Sequence, residues 1–349
     1  MKQVGGPVKG YADWRHVLEH KGIDIIHVCT PPHWHALITI AAAEAGFDIW
    51  CEKPMSRTIY EGIKAAEAVQ KYGRIFRLNT WFRFQGNLYG FGSTARPVKK
   101  LVSSGLLGWP LRVRVSRDTG FNYKLYWSGR TDLIPQPVPS YFDWNMWLGP
   151  ASMKPYHPHR THGTFRGYWD YDGGGLADMG QHYLDPVQYF LDKDDTSPVE
   201  IEAYAPWPQH PDAAGDWGKV TMRYEDGCEI ILESREWGEM DPPGQPYIEG
   251  PKGKLYRGFR TDPPELAAAV RSLPEPEPMR TDFEQCVKTR RKFALNERNG
   301  HRSCCLHNLA NIAIRTGRKL HYDPVKQRFI NDEQANRLVK QPMRAPWTL

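Results

Sequence analysis

Long apolar runs are missing from these 349 residues. Nothing approaches the roughly 20 consecutive apolar residues of a bilayer-spanning helix, and the longest run, around Leu37–Ala43, is interrupted or flanked by Thr, Glu and His. No membrane span is expected. Cysteine is sparse and unpatterned: Cys29, Cys51, Cys228, Cys286, Cys304 and Cys305 form no C-x-x-C pair, which excludes a zinc ribbon or a disulfide scaffold and leaves free thiols. Charge of one sign is not concentrated either. The 46 basic and 40 acidic residues give a formal +6 without a Lys/Arg stripe, a balance suited to anionic small molecules and not to nucleic acid. The opening Met1-Lys2-Gln3-Val4-Gly5-Gly6 lacks the apolar core of a secretory signal, from which a cytoplasmic chain is expected.

What is present is the composition of a globular protein of about two domains, 40% hydrophobic and 25% charged, with 13 Trp for packing or for stacking on sugar faces. Ile23-Asp24-Ile25-Ile26-His27-Val28-Cys29-Thr30 is a β-branched apolar run stopped by Pro31-Pro32, and reads as a buried strand of a parallel sheet. A helix over 35–45 ends at Gly46, a strand follows at 47–51, a helix near 59–72 ends at Gly73, and a third strand runs over 74–79. This order means right-handed βαβ units. From about Leu111 the pattern changes to alternating strands at 111–115, 220–224, 228–232 and 254–256, separated by Pro-rich and aromatic loops, with helices over 282–289 and 301–316. The fold class expected is α/β plus α+β: an incomplete Rossmann-type parallel sheet, then a mixed domain with a large open, mainly antiparallel sheet. Residues 262–277, rich in Pro and Glu around one short helix, read as a surface excursion.

Several polar clusters converge on the carboxyl edge of the first sheet, where open α/β sheets bind ligands. Thr30-Pro31-Pro32-His33-Trp34-His35 ends the first strand and Cys51-Glu52-Lys53-Pro54 the second, while Asn79, Trp81 and Arg83 follow the third. A further cluster, Asp172-Gly173-Gly174-Gly175-Leu176-Ala177-Asp178-Met179-Gly180-Gln181-His182-Tyr183-Leu184-Asp185, opens a helix continuing through Pro186 to Leu191. Its four-residue spacing puts Asp178 and His182 on one face, with Asp185 three further on, so a carboxylate can orient or charge-couple an imidazole that handles protons near neutral pH. The glycine triplet lacks the G-x-G-x-x-G spacing and follows no clear strand, so it is not read as a phosphate loop. In His157-Pro158-His159-Arg160-Thr161-His162 the three imidazoles could collect a metal, but a proline intervenes and no carboxylate ligand is near. A substrate-lining loop with Arg160 as donor, or a plain surface loop, are the other readings, and no metal site is assigned.

Taken together, Thr30-Pro31 with His33-Trp34-His35, then Glu52-Lys53-Pro54, then Asp178-x-Gly180-x-His182-x-x-Asp185 resemble the glucose-fructose oxidoreductase/inositol dehydrogenase/rhizopine-catabolism (Gfo/Idh/MocA) family. Asp143-Trp144-Asn145-Met146-Trp147-Leu148-Gly149-Pro150 and Gly300-His301-Arg302-Ser303 extend the resemblance over nearly the whole chain from about Tyr11. It implies a dinucleotide-binding domain over 1–107 and a substrate-binding and oligomerisation domain over 108–349 whose last helices pack back on the first. The implied activity is NAD- or NADP-dependent oxidation of a sugar or cyclitol by a homo-oligomer.

By resemblance Lys53 stabilises the reacting hydroxyl, His182 accepts its proton, and Asp178 orients substrate or imidazole. Thr30, Pro31, Pro32, His33, His35, Glu52 and Lys53 line the cofactor. Trp34, Arg83, Arg160, His162, Asp178, His182 and Asp185 face substrate. Two alternatives share these motifs: a glycoside hydrolase acting through transient sugar oxidation and elimination, and a non-catalytic sugar-binding or partner subunit. The latter arises because the family's first strand, its G-x-G-x-x-G turn and its ribose-binding acid have no counterpart before Tyr11-Ala12-Asp13. Gly5-Gly6-Pro7-Val8-Lys9-Gly10 is too short to replace them. About 70 to 80 residues of the usual beginning are expected to precede this sequence in an ordinary member. Those residues could include an export signal, which would make the location periplasmic.

Overall fold

The computed structural model describes residues 8–121 and 127–349. The leader reading and the first half of the glycine stretch at 5–10 fall outside them. In chain order the elements are β1 (Ile25–Val28), α1 (His35–Glu44), β2 (Asp48–Glu52), α2 (Ile59–Lys71), β3 (Phe76–Asn79), α3 (Ala95–Ser103), β4 (Arg112–Ser116), α4 (Trp144–Leu148) and α5 (Gly174–Phe190). Then come β5 (Glu200–Tyr204), β6 (Lys219–Arg223), β7 (Glu229–Glu233), β8 (Ile248–Gly250), β9 (Gly253–Tyr256), β10 (Arg260–Asp262), α6 (Glu265–Ser272), α7 (Phe283–Thr289), α8 (Glu297–Thr316), β11 (Leu320–Asp323), β12 (Arg328–Phe329) and α9 (Glu333–Val339).

The first three strands form a parallel sheet in the order β1-β2-β3, with Val28 opposite Cys51 and Glu52 opposite Asn79. Its helices begin where the sequence signals them: Thr58 caps α2 by accepting from the Glu61 amide, and Pro32 opens the short turn that leads into α1. β1 is an edge strand among the described residues, not a strand buried on both sides. Ile26 and Val28 point into the core while His27 is exposed.

The remaining strands form a nine-stranded sheet in the order β10-β9-β8-β4-β7-β6-β5-β11-β12. Every neighbouring pair is antiparallel except β4 with β7. This is a Rossmann-like domain followed by an α/β domain, the class expected. The larger core gathers Val113, Val220, Ile230 and Leu232 of this sheet with residues of α3, α5 and α8. The smaller core surrounds the parallel sheet and takes Phe283, Cys286, Phe293, Leu295 and Cys304 from the C-terminal part of the chain.

The strands and helices missed by pattern have physical reasons. α3 carries Pro97 in its first turn, which that position tolerates, and two lysines. β5, Glu-Ile-Glu-Ala-Tyr, buries only Ile201 and spends its other face on charge. That face carries a registered row: Lys319 meets Glu200 at 3.0 Å, Glu200 meets Arg223 at 3.1 Å, Arg223 meets Glu229 at 2.6 Å, and Glu229 meets Arg112 at 2.9 Å. Among the described residues no helix is long and apolar enough to cross a membrane.

Candidate active site

Lys53 is brought to α5 by the turn that follows β2. Its Nζ donates to the Asp178 carboxylate Oδ1 at 2.9 Å and to the Asp178 backbone carbonyl at 2.7 Å. The turn is pinned by Gln181, a residue that pattern reading passed over. Its Oε1 accepts from the Met55 amide at 2.9 Å, and its Nε2 donates to Gly300 O and Ser303 Oγ on α8. α5 and α8 approach closely at Gly180, where a Cβ would lie 3.1 Å from His307 Cβ. Fully buried Gln181 therefore couples the Lys53 turn to two helices at once.

Asp178 Oδ1 takes a second cation, the Arg166 guanidinium, whose Nε lies at 2.7 Å. Burial alone would raise the Asp178 carboxyl, but Lys53 and Arg166 hold it below the usual carboxylate range. Its Oδ2 is buried without a hydrogen-bond partner. Arg166 gave no sequence signal because it lies in a short 3-10 helix, His162–Gly167, outside any motif, its guanidinium over the Trp127 ring at 4.4 Å.

His182, one turn along α5, is buried, with Nδ1 2.7 Å from Thr80 Oγ1. Trp81 and Phe82 set their rings against the imidazole, with centroids at 5.1 and 5.5 Å. Thr80, just past β3, is thus one contact of the imidazole, while Asp178 Oδ1 serves Lys53 and Arg166. The β3 loop was singled out for Asn79, Trp81 and Arg83, and the useful hydroxyl between them was missed.

The segment after β1 forms a wall. His35 Nε2 is 2.7 Å from the Thr30 carbonyl and Nδ1 is 2.7 Å from the Pro54 carbonyl, so the ring sits between the end of β1 and the Lys53 turn, and in its neutral form donates to one of the two. Burial pushes the His35 imidazole down in spite of those two carbonyls. His33 is pushed down to about 3 by burial and is neutral, so its Nε2 donates to the Trp147 carbonyl at 3.0 Å. That leaves His33 Nδ1 as a buried acceptor without a partner, and Thr30 Oγ1 is likewise buried and unpartnered. Glu52 accepts from Asn79 Nδ2 at 2.5 Å. Two orphaned polar atoms beside Pro31 and Pro32 fit the polar edge of a nicotinamide end. No glycine-rich strand-to-helix turn precedes β1 among the described residues, so no residue is assigned to a pyrophosphate.

Other residues expected at the site have partners of their own or lie exposed. Trp34 is buried, donates to the Trp147 carbonyl at 3.2 Å and packs edge-on against Trp347, so it is core and not a sugar-stacking surface. Arg83 and Asp185 are bound to each other, with Arg83 Nη2 at 2.7 Å and Nε at 3.0 Å from the carboxylate. Arg83 also holds Asp194. Arg160 pairs with Asp212 at 2.6 Å and lies over the Tyr168 ring. In the His157–His162 stretch, His159 contacts the Tyr168 hydroxyl at 2.8 Å, His157 Nδ1 accepts from the His159 amide, and His162 is exposed. Among the described residues no group of three His, Cys, Asp or Glu could hold a metal.

Comparison with known proteins agrees with this layout. Residues 3–80 match the model of an oxidoreductase family, NAD-binding Rossmann fold, and residues 91–349 that of an oxidoreductase family, C-terminal alpha/beta domain. A levoglucosan dehydrogenase of Pseudarthrobacter phenanthrenivorans is 46% identical over 59 residues, covering 17% of this chain and 15% of its own. A scyllo-inositol 2-dehydrogenase (NAD(+)) of Bacillus subtilis is 30% identical over 132 residues, covering 34% of this chain and 36% of its own. The aligned stretches thus span well under two thirds of these curated relatives. The WlbA dehydrogenase of Bordetella pertussis, solved with NADH and UDP-GlcNAcA, shares the fold at TM-score 0.57 and 18% identity, over 89% of this chain and 83% of its own. With both halves matched in order, the chain belongs to the Gfo/Idh/MocA oxidoreductase family.

Proposed function

We propose that this chain carries the catalytic groups of an NAD(P)-dependent dehydrogenase acting on a secondary hydroxyl of a sugar or cyclitol. The observation that carries the reading is Lys53, held 2.9 Å from Asp178 Oδ1 one helical turn from His182, beside the Thr30–Pro31 wall. Lys53 donates to the reacting hydroxyl and stabilises the negative charge that develops on its oxygen. His182, its ring oriented by Thr80, takes the hydroxyl proton. Asp178, anionic through its two cations, holds Lys53 in place and offers Oδ2 to a substrate hydroxyl. Thr30, Pro31, Pro32, His33, Glu52 and Lys53 would line the nicotinamide, and His35 holds the two segments of that wall together. When bound, the nicotinamide accepts the hydride.

The test is absorbance at 340 nm with NAD+ and NADP+ in turn, over a panel of cyclitols, free sugars and glycosides. Accumulation of reduced cofactor with a free polyol is the expected result. Aglycone release from a glycoside at constant cofactor balance would replace it with the oxidation–elimination cycle. Failure of a folded sample to bind NADH or NADPH at millimolar concentration would overturn catalysis by this chain and leave the sugar-binding reading.

A further inference from the structure

Asp172 is the residue that the reading above leaves unused. It is 5% exposed, and neither carboxyl oxygen has a hydrogen-bond partner. A buried acid of this kind ordinarily caps the helix that follows it, because its oxygens satisfy the first free amides. Here that role is withheld. The chain turns into α5 through Gly173 at φ 130° and Gly174 at φ 79°, the cap position falls on Gly173, and no side chain caps the helix. Side chains rarely adopt such angles, and a Cβ on Gly173 would lie 2.8 Å from Asn311 Nδ2. Two left-handed glycines thus take Asp172 off the helix axis and leave its carboxyl buried, uncapped and without a hydrogen-bond partner at the start of α5.

The groups that face it electrostatically are Asp178, Lys53 and Arg166. Both cations already rest on the same Asp178 oxygen, Oδ1. Three buried carboxyl oxygens therefore remain without partners in this cluster: Asp178 Oδ2 and both oxygens of Asp172. Leaving such atoms bare is costly unless a ligand completes them.

We propose that Asp172 is a second substrate-binding carboxyl which, with Asp178, holds the hydroxyl adjacent to the reacting one and makes the site selective for vicinal diols. This rests on the dehydrogenase reading for the identity of the reacting hydroxyl, though not for the diol contact itself. Burial first, and the neighbouring Asp178 second, raise the Asp172 carboxyl well above its ordinary range, which favours its protonated form in the complex. A protonated carboxyl donates through O–H and accepts through C=O, while Asp178 Oδ2 only accepts. The pair matches a hydroxyl that must donate once and accept once.

The experiment measures binding by calorimetry in the presence of NADH, using myo-inositol, levoglucosan and monodeoxy analogues that lack one hydroxyl of a vicinal pair. Oxidation of the same compounds with NAD+ is followed in parallel. The wild-type chain is expected to prefer a diol over its deoxy analogue by about 10-fold or more, and Asp172→Ala is expected to reduce that ratio to near one by weakening the diol alone. Equal loss for diol and deoxy compound, or a wild-type ratio near one, would overturn the proposal.

Asp172→Asn keeps a donor and an acceptor and guards against a misfolded alanine variant. It should retain the preference with affinity independent of pH, whereas wild-type affinity falls as pH rises and Asp172 ionises beside Asp178. A flat wild-type profile would count against the proposal. Diol binding without oxidation would sink the dehydrogenase reading and leave the diol contact standing. Oxidation without diol preference would do the reverse.

Discussion

Two buried ionic clusters hang on α5, about two turns apart, and they are finished differently. At Asp185 the carboxylate takes Arg83 through both oxygens, and Arg83 gives two further hydrogen bonds to Asp194. Burial alone would lower the Arg83 guanidinium, but the two aspartates raise it above its ordinary value. At Asp178 two cations share one oxygen, the other oxygen is bare, and the neighbouring Asp172 is bare on both. A closed cluster has no capacity left for a ligand and stabilises the fold. An open one costs stability in the free protein, and a substrate can return that cost on binding. Both look alike in the sequence, as an acid on a helix with a basic partner far away in the chain.

The largest effect expected breaks the open cluster. Lys53→Met removes the charge that meets the reacting oxygen, and turnover should fall by about 10²- to 10⁴-fold in the 340 nm assay while the variant stays folded. Next comes the closed cluster. Asp185→Ala leaves the Arg83 guanidinium buried with Asp194 alone, and should cost about 3 kcal/mol or more in urea unfolding. Activity per folded molecule should change little. If Asp185→Ala abolished turnover at unchanged stability, the division between closed and open clusters would be wrong.

The third test concerns pH. Asp172 has its carboxyl raised above the ordinary 3.8, by burial first and by Asp178 second. The native state therefore keeps a proton that the unfolded chain releases. Its favourable share of stability is complete below about pH 4 and is lost as pH rises through the native value. Asp178 has the opposite sign, since Lys53 and Arg166 lower it in spite of burial. Its share is present above 3.8 and lost as pH falls through the lowered value. Asp172→Asn should thus gain on the wild type in melting temperature as pH rises from 4 to 8, by a few degrees at most. A difference that is constant across this range would place an ionised, compensated Asp172 in the native protein.

Sequence reading reached the elements that pack by period and missed those that pack by charge or by distance. β2, α1 and α2 were legible from β-branched runs, helical spacing and terminal glycines, and their observed bounds shift by only a residue or two. Lys53 stands out in the sequence because it follows β2 in a short motif, and Asp178 and His182 because their four-residue spacing puts them on one face of α5. Their neighbours do not stand out: Thr80 touches the site from the loop after β3 and Arg166 from a short 3-10 helix, and Gln181 on α5 works by bridging the turn after β2 and α8, each more than 100 positions away in the chain. Arg160 and Arg83 are expected from the sequence to face substrate, and a lone arginine in sequence does not reveal its carboxylate. The fold supplies Asp212 to one and Asp185 with Asp194 to the other. Thr80→Val, which keeps the shape and removes the hydroxyl beside His182, should lower turnover by about 10-fold with a smaller change in KM. An equal fall in Asp178→Asn and no change in Thr80→Val would mean that the ring is oriented from α5 alone.

The smallest effect belongs to the exposed row Lys319–Glu200–Arg223–Glu229–Arg112, which resembles the buried clusters in composition and differs in solvent. Arg223 sits at its centre, touching Glu229 at 2.6 Å and Glu200 at 3.1 Å, yet its side chain is 47% exposed. Water and salt screen such pairs, and holding long side chains in one geometry costs entropy, so Arg223→Ala should cost about 1 kcal/mol or less. The loss should shrink further in 0.5 M salt. Networks can exceed the sum of their pairs, which sets the sharpest form of the contrast: a double-mutant cycle of Arg223 with Glu229 should give a coupling well below that of Arg83 with Asp185. Equal couplings would mean that this face of the nine-stranded sheet is covered in solution, and that the row on β5, β6, β7 and β4 is as desolvated as the clusters beneath it.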